Sequence, residues 1–156
     1  MKCPIPALLL MFLMASLLSA SADLVSAKHI RYRRIAGQPA LRQILDVHYR
    51  TDDTANKKPV IVWVHGGAWK FGNKSHSIGA KAKAFTKAGY VVVAINYRFH
   101  PQVNWKEQAA DVAAACRWIT GGIEKYGGDA RRLILMGHSA GAHLAALTGA
   151  DPTYTN

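Results

Sequence analysis

Cysteine is nearly missing from this sequence. Only Cys3 and Cys116 occur among 156 residues, and Cys3 lies in the leader segment described below. One remaining thiol cannot close an internal disulfide, so the mature domain is expected to be held by its core. Cys116, within the run Ala109 to Trp118, is expected to be a buried thiol on a helix. No Cys/His spacing fits a zinc site, and neither a metal nor another cofactor is expected. Acidic residues are also scarce, with 9 Asp and Glu against 20 Lys and Arg, for a net charge of +11. That balance raises a nucleic-acid reading. The basic residues are scattered over strands and loops, however, and no nucleic-acid module is present. A solvated basic surface that could favour anionic surfaces or substrates is the expectation, with no nucleic-acid partner. No apolar run reaches the roughly 20 residues needed to span a bilayer, so no stable membrane anchor is expected. Repeats and low-complexity stretches are absent as well.

What is present suits one globular domain, since half of the residues are hydrophobic. Residues 1–22 read as a cleavable signal peptide. Lys2 supplies a short positive region, Ala7 to Leu18 an apolar stretch, and Ser19-Ala20-Ser21-Ala22 a small-residue site with cleavage expected after Ala22. The mature protein, residues 23–156, is then expected to be secreted or periplasmic. A basic entry segment, Lys28 to Arg34, precedes an alternating strand at Gln43 to Tyr49. After a polar turn from Thr51 to Pro59, Val60 to Val64 is continuously apolar and β-branched, as expected of a central strand buried on both faces. Ser77 to Lys87 has helical spacing and stops at Gly89. Tyr90 to Ile95 is a second apolar strand. Trp105 to Tyr126 is a long Ala-rich helix that Gly121-Gly122 should end early or bend. Gly127-Gly128-Asp129 reads as a turn, Leu133 to Met136 as a third apolar strand, and Ala140 to Leu147 as another helix. Strands alternating with helices imply crossover connections and a mostly parallel sheet with helices on both faces.

Two motifs carry chemistry. Gly137-His138-Ser139-Ala140-Gly141 fits G-x-S-x-G where an apolar strand meets a small-residue helix. In that setting the serine stands on a sharp, strained turn with its hydroxyl raised to the sheet edge. Side chains at Gly137 and Gly141 would collide with the neighbouring strand and helix. The alternative is a plain strand-to-helix connection with Ser139 as helix cap. The second motif, His65-Gly66-Gly67-Ala68-Trp69, follows the first buried strand. Glycines there let backbone N–H groups approach a substrate oxygen that gains negative charge during acyl transfer. With such an elbow the donors come from the residue after the serine and from this loop, here Ala140 with Gly67 and Ala68. His65 is expected to fix the loop by hydrogen bonding rather than act as a base. Trp69, Phe71, Phe99 and Trp105 fall near strand ends, where a pocket is expected, although packing is the commoner role of any one of them.

The two motifs in this order resemble the α/β-hydrolase superfamily. More narrowly they resemble its HGG-x-W esterase branch, which includes hormone-sensitive-lipase-type carboxylesterases and feruloyl-esterase-like and kynurenine-formamidase-like enzymes. Leu45 to Tyr49, Gly72-Asn73-Lys74, Asn96-Tyr97-Arg98, Asp111-Val112 and Gly128 to Arg132 fit the same pattern. The resemblance implies an α/β-hydrolase fold and a serine carboxylesterase that acts on small-molecule esters through an acyl-enzyme on Ser139. It also implies a triad of Ser, then Asp or Glu, then His. Beyond the serine this sequence runs only from Ala140 to Asn156. There Asp151 comes too soon after the elbow, and His143 lies four residues on along the same helix, directed away from the hydroxyl. The triad acid and histidine are thus absent from this chain. The chain is expected to be the N-terminal part of a single hydrolase domain, truncated after the elbow helix and inactive as an isolated piece. An amidase or formamidase shares every residue visible here, and a non-catalytic hydrolase-like binding protein is the reading from a different class.

Overall fold

The structure, a computed structural model, describes residues 23–51 and 56–155. The expected signal peptide and its cleavage site lie outside the described residues, as do residues 52–55 of the polar turn. In chain order the elements are β1 (Leu24–Arg31), β2 (Ile44–Arg50), β3 (Lys58–Val64), α1 (Ile78–Lys87), β4 (Val91–Ile95), α2 (Trp105–Gly122), β5 (Gly128–Gly137), α3 (Ala140–Ala150) and the short α4 (Pro152–Thr155). A 3-10 turn, Ile123–Tyr126, separates α2 from β5.

The strands form one twisted sheet in the order β1-β2-β4-β3-β5. From β4 through β3 to β5 the pairing is parallel, and on the other side β2 runs antiparallel to both β4 and β1. The apolar runs read as doubly buried strands are so because alternate side chains serve two helical layers. Val60, Val62, Val64, Val91, Val93 and Ile95 face α2 and α3, meeting Ala109, Val112, Ala115, Ile119 and Leu144. Trp63, Val92 and Ala94 face α1 and meet Ile78 and Ala82. Each such valine, removed fully from water, contributes about 1.5–3 kcal/mol before entropy is counted.

Two local details differ from the reading of the sequence. The basic entry segment is strand β1, whose alternation is broken at Lys28-His29 by a register shift between Ala27 and Ile30. His29 sits there at φ 57, and its N–H donates to Asp46 Oδ1 at 2.8 Å. The presumed turn at Gly127-Gly128-Asp129 is already the start of β5. Gly128 pairs with Lys58, and the Asp129 carboxylate accepts from Arg131 N–H and Arg132 Nε. At the head of α2, Asn104 and Glu107 form a reciprocal capping box, which stabilises the helix by about 1 kcal/mol. The helix does end at Gly122.

Two buried polar clusters tie the strand ends together. Lys74 Nζ lies 2.7 Å from Asp46 Oδ2, both side chains almost wholly buried. Lys74 N–H donates to Asn96 Oδ1, and Asn96 Nδ2 donates to Leu41 O. In the second cluster Asp111, on α2, accepts from the backbone N–H and Nε of Arg98 and from Gln43 Nε2. The first cluster locks the segment after the 65–69 loop onto β2. The second locks the end of β4 onto α2.

Burial pushes His48 and His65 below the ordinary histidine value of 6.5, and burial pushes the Cys116 thiol up to about 11. For the histidines the unfolded chain binds the extra proton first. Their contribution is therefore intact above about pH 6.5 and is lost as pH falls below it toward the folded values. The paired Asp129 and Asp151 carboxylates, held below 3.8 chiefly by backbone N–H donors, lose their contribution only at lower pH. Melting temperature should thus fall between pH 7 and pH 5, and less so in His48→Gln. A melting temperature independent of pH over that window would contradict this account.

Candidate active site

The parallel register sets Val64 opposite Gly137. β3 and β5 therefore end level, and the segments that leave them, 65–69 and 138–139, emerge side by side. Ser139 occupies φ 52, ψ −122 and makes no side-chain capping bond to α3. A serine present only to cap the helix would make that bond, so the plain-connection reading loses its support. The residue is exposed. Its backbone lies outside the regions open to residues with a Cβ, a strain on the order of 1–3 kcal/mol. The flanking glycines permit it. A Cβ on Gly137 would come within 2.4 Å of Gly141 C and O, and one on Gly141 within 2.2 Å of Val64 O.

The 65–69 loop packs directly on this turn. A Cβ on Gly66 would stand 2.8 Å from His138 O and 3.3 Å from Ser139 Cβ. Gly67, Ala68 and Trp69 follow with φ of 133, 46 and 61, three consecutive residues in the left-handed half of conformational space. Gly67 O accepts from the N–H groups of Lys70 and Phe71. Among the described residues the N–H groups of Gly67, Ala68 and Ala140 are used in no backbone turn or cap bond. Donors of this kind beside an exposed hydroxyl can receive a developing oxyanion.

His65 takes the loop-fixing place. Its ring is buried and stacked on Tyr97 at 4.6 Å, with Nδ1 2.7 Å from Gly66 O. The lowered pKa keeps the ring neutral, with the Nδ1 proton given to that carbonyl. Its own carbonyl accepts from Tyr97 OH at 2.9 Å. His138 lines a cleft of about 550 Å3 together with Trp63, Gly66, Phe71 and Lys81. His143 stands edge-on to Trp69 and Trp105 at 5.6 and 6.1 Å. Those three residues with His100, Asn104 and Gln108 line a second, mostly apolar cleft of about 430 Å3.

Of the aromatic residues expected at a pocket, Trp69 and Trp105 line the second cleft and Phe71 the first. Phe99 is buried, edge-on to His65 and Tyr97. The Asp151 carboxylate accepts from Thr153 N–H and Oγ1. Among the described residues no histidine side chain is paired with a carboxylate, and no group of His, Cys, Asp and Glu could hold a metal ion. No described helix is long and apolar enough to cross a membrane. Lys74 and Asp46, in the sequence only positions that fit the family pattern, anchor the segment after the loop, and Gln108, which no motif singled out, donates to Trp69 O.

Comparison with known proteins gives a consistent answer. The BD-FAE family model matches residues 45–155. Esterase LipC of Mycobacterium tuberculosis is 35% identical over 133 residues, covering 81% of this chain and 33% of that protein. Isoprenylcysteine alpha-carbonyl methylesterase ICME of Arabidopsis thaliana is 33% identical over 137 residues, covering 87% of this chain and 31% of its own length. Among solved structures, esterase B of Lactobacillus rhamnosis superposes with a TM-score of 0.70 at 29% identity, over 80% of this chain and 39% of that one. The chain thus spans about a third of the length of these curated relatives. The neighbours are α/β-hydrolase esterases, and the partial domain described above has that fold.

Proposed function

The chain belongs to the BD-FAE family, and from that premise we propose that it is the nucleophile-bearing part of a serine carboxylesterase. Ser139 Oγ attacks the acyl carbon of a small-molecule ester, and the amides of Gly67, Ala68 and Ala140 receive the charge that builds on the carbonyl oxygen. The leaving alcohol departs, and water releases the acid from the acyl-serine. His65, Gly66, Trp69, Gly137, His138 and Gly141 shape the loop and the elbow. The proton on Ser139 is moved by a histidine, oriented by a carboxylate, that lies outside this chain. The observation that carries the reading is the packing of Gly66 against His138 and Ser139, which brings free loop amides beside a strained, exposed serine.

The test uses the full-length product of the coding sequence that carries this chain. A fluorophosphonate should add its phosphonyl group to one residue, mapped by peptide mass to Ser139, and short-chain p-nitrophenyl esters should be hydrolysed. Absence of both would sink the proposal, whereas anilides cleaved in preference to esters would move it to an amidase. We also read residues 1–22 as a signal peptide that directs the protein out of the cytoplasm. N-terminal sequencing of the exported protein should begin at Asp23, and a mature protein that retains Met1 would end that reading.

A further inference from the structure

The strained 67–69 turn needs an external hold, and the geometry points to Gln108 as the positioning residue that supplies it. This inference rests on the esterase reading and deepens it. Ala68 and Trp69 both carry a Cβ at positive φ, so the segment left alone would relax toward ordinary backbone. Two donors converge on the carbonyl of Trp69: Gln108 Nε2 at 2.8 Å and His100 N–H at 2.9 Å. The bonds from Lys70 and Phe71 to Gly67 O fix the Gly67–Ala68 peptide, which carries the Ala68 amide assigned to the oxyanion, and the two donors on Trp69 O fix the Trp69–Lys70 peptide at the other end of the strained turn.

Burial of the side chain gives a second, independent reason. Gln108 is fully buried on α2, and its Oε1 has no hydrogen-bond partner. Leaving a buried acceptor unpaired is costly, and an unbranched apolar side chain of the same length would avoid that cost. What only the amide provides here is the bond to Trp69 O. The orientation is not interchangeable, because turning the amide over would set Oε1 against the Trp69 carbonyl. α2 is itself fixed to β4 through Asp111 and Arg98, so Gln108 transmits the position of the sheet to the loop. It touches no reacting atom and acts through the loop.

The test compares the full-length wild type with Gln108→Met, which keeps length and removes the donor. Hydrogen exchange followed by mass spectrometry should show the 66–71 segment exchanging at least about tenfold faster in the variant, with the rest of the sheet unchanged. Turnover of a p-nitrophenyl ester should drop by about ten- to a hundredfold in kcat with KM within threefold, since the loop amides act on the transition state rather than on the bound ester. Gln108→Glu should regain activity, relative to wild type at the same pH, as pH falls and its carboxyl becomes a donor. Unchanged exchange in the 66–71 segment, or an unchanged kcat in an active enzyme, would overturn the inference. If the segment loosens while the wild type neither labels at Ser139 nor cleaves esters, the esterase reading falls and the hold on the loop stands.

Discussion

Replacing Ser139 with alanine in the full-length product should lower kcat/KM for a short-chain p-nitrophenyl ester by at least about a thousandfold, since the acyl group then has no oxygen to bond to. Some rate above water should persist, because the loop amides remain. Stability should hardly move, for the serine side chain makes no capping bond and alanine keeps the same Cβ at φ 52. Ser139→Gly separates the two roles of the residue. It is expected to be equally inactive, yet to unfold at a melting temperature a few degrees higher, because removing the Cβ relieves strain of about 1–3 kcal/mol against a smaller entropic loss. Two results would count against the account. Substantial turnover by Ser139→Ala would remove Ser139 from the chemistry. A melting temperature for Ser139→Gly below that of wild type would show that the elbow is not strained in solution.

The elements nearest the site were the most legible in the sequence, and the reason is physical. β3 and β4 are buried on two faces, so their residues form apolar runs with little competing signal, and where β5 leaves Ile134 exposed at the sheet edge, Gly137 and Gly141 still mark contacts that no Cβ could enter. The edge was harder. β1 carries Lys28 and His29 through a register shift, and its outer residues are half exposed, so neither alternation nor an apolar run announces it. Gly128-Asp129 reads locally as a turn, and only its pairing with Lys58, distant in sequence, makes it strand. The buried polar clusters were visible as motif positions without a role. Asp46, Lys74, Asn96, Arg98 and Asp111 stand far apart along the chain, and only the crossing of β2, β4 and α2 brings them together. Gln108 was invisible for the same reason. A glutamine on a helix is ordinary, and its meaning lies in the carbonyl of Trp69, 39 residues earlier.

Asp111→Ala should have the largest effect on stability of any single change away from the elbow. The carboxylate is fully buried and accepts four bonds: from Arg98 N–H at 3.1 Å, Arg98 Nε at 2.8 Å, Arg98 Nη2 at 3.1 Å and Gln43 Nε2 at 2.8 Å. Arg33 adds a looser contact at 3.7 Å. Removing the acid strands a buried guanidinium and a buried amide, and breaking such a pair costs about 3–5 kcal/mol. Whole domains have about 5–15 kcal/mol to lose, so urea denaturation of the full-length variant should show a large drop in midpoint or no cooperative transition. The exposed pair Lys57–Glu124 provides the contrast, since Glu124→Ala should cost less than about 1 kcal/mol. Equal effects from the two substitutions would refute the claim that desolvation is what makes the Asp111 cluster matter. Replacing both partners, as Arg98→Met with Asp111→Leu, should recover much of the loss, because no charge is then left buried and unpaired. Activity should not recover with stability. Arg98 stands two residues before His100, whose N–H helps to hold the carbonyl of Trp69, so a core repaired with apolar side chains would keep the sheet and still loosen the loop beside Ser139.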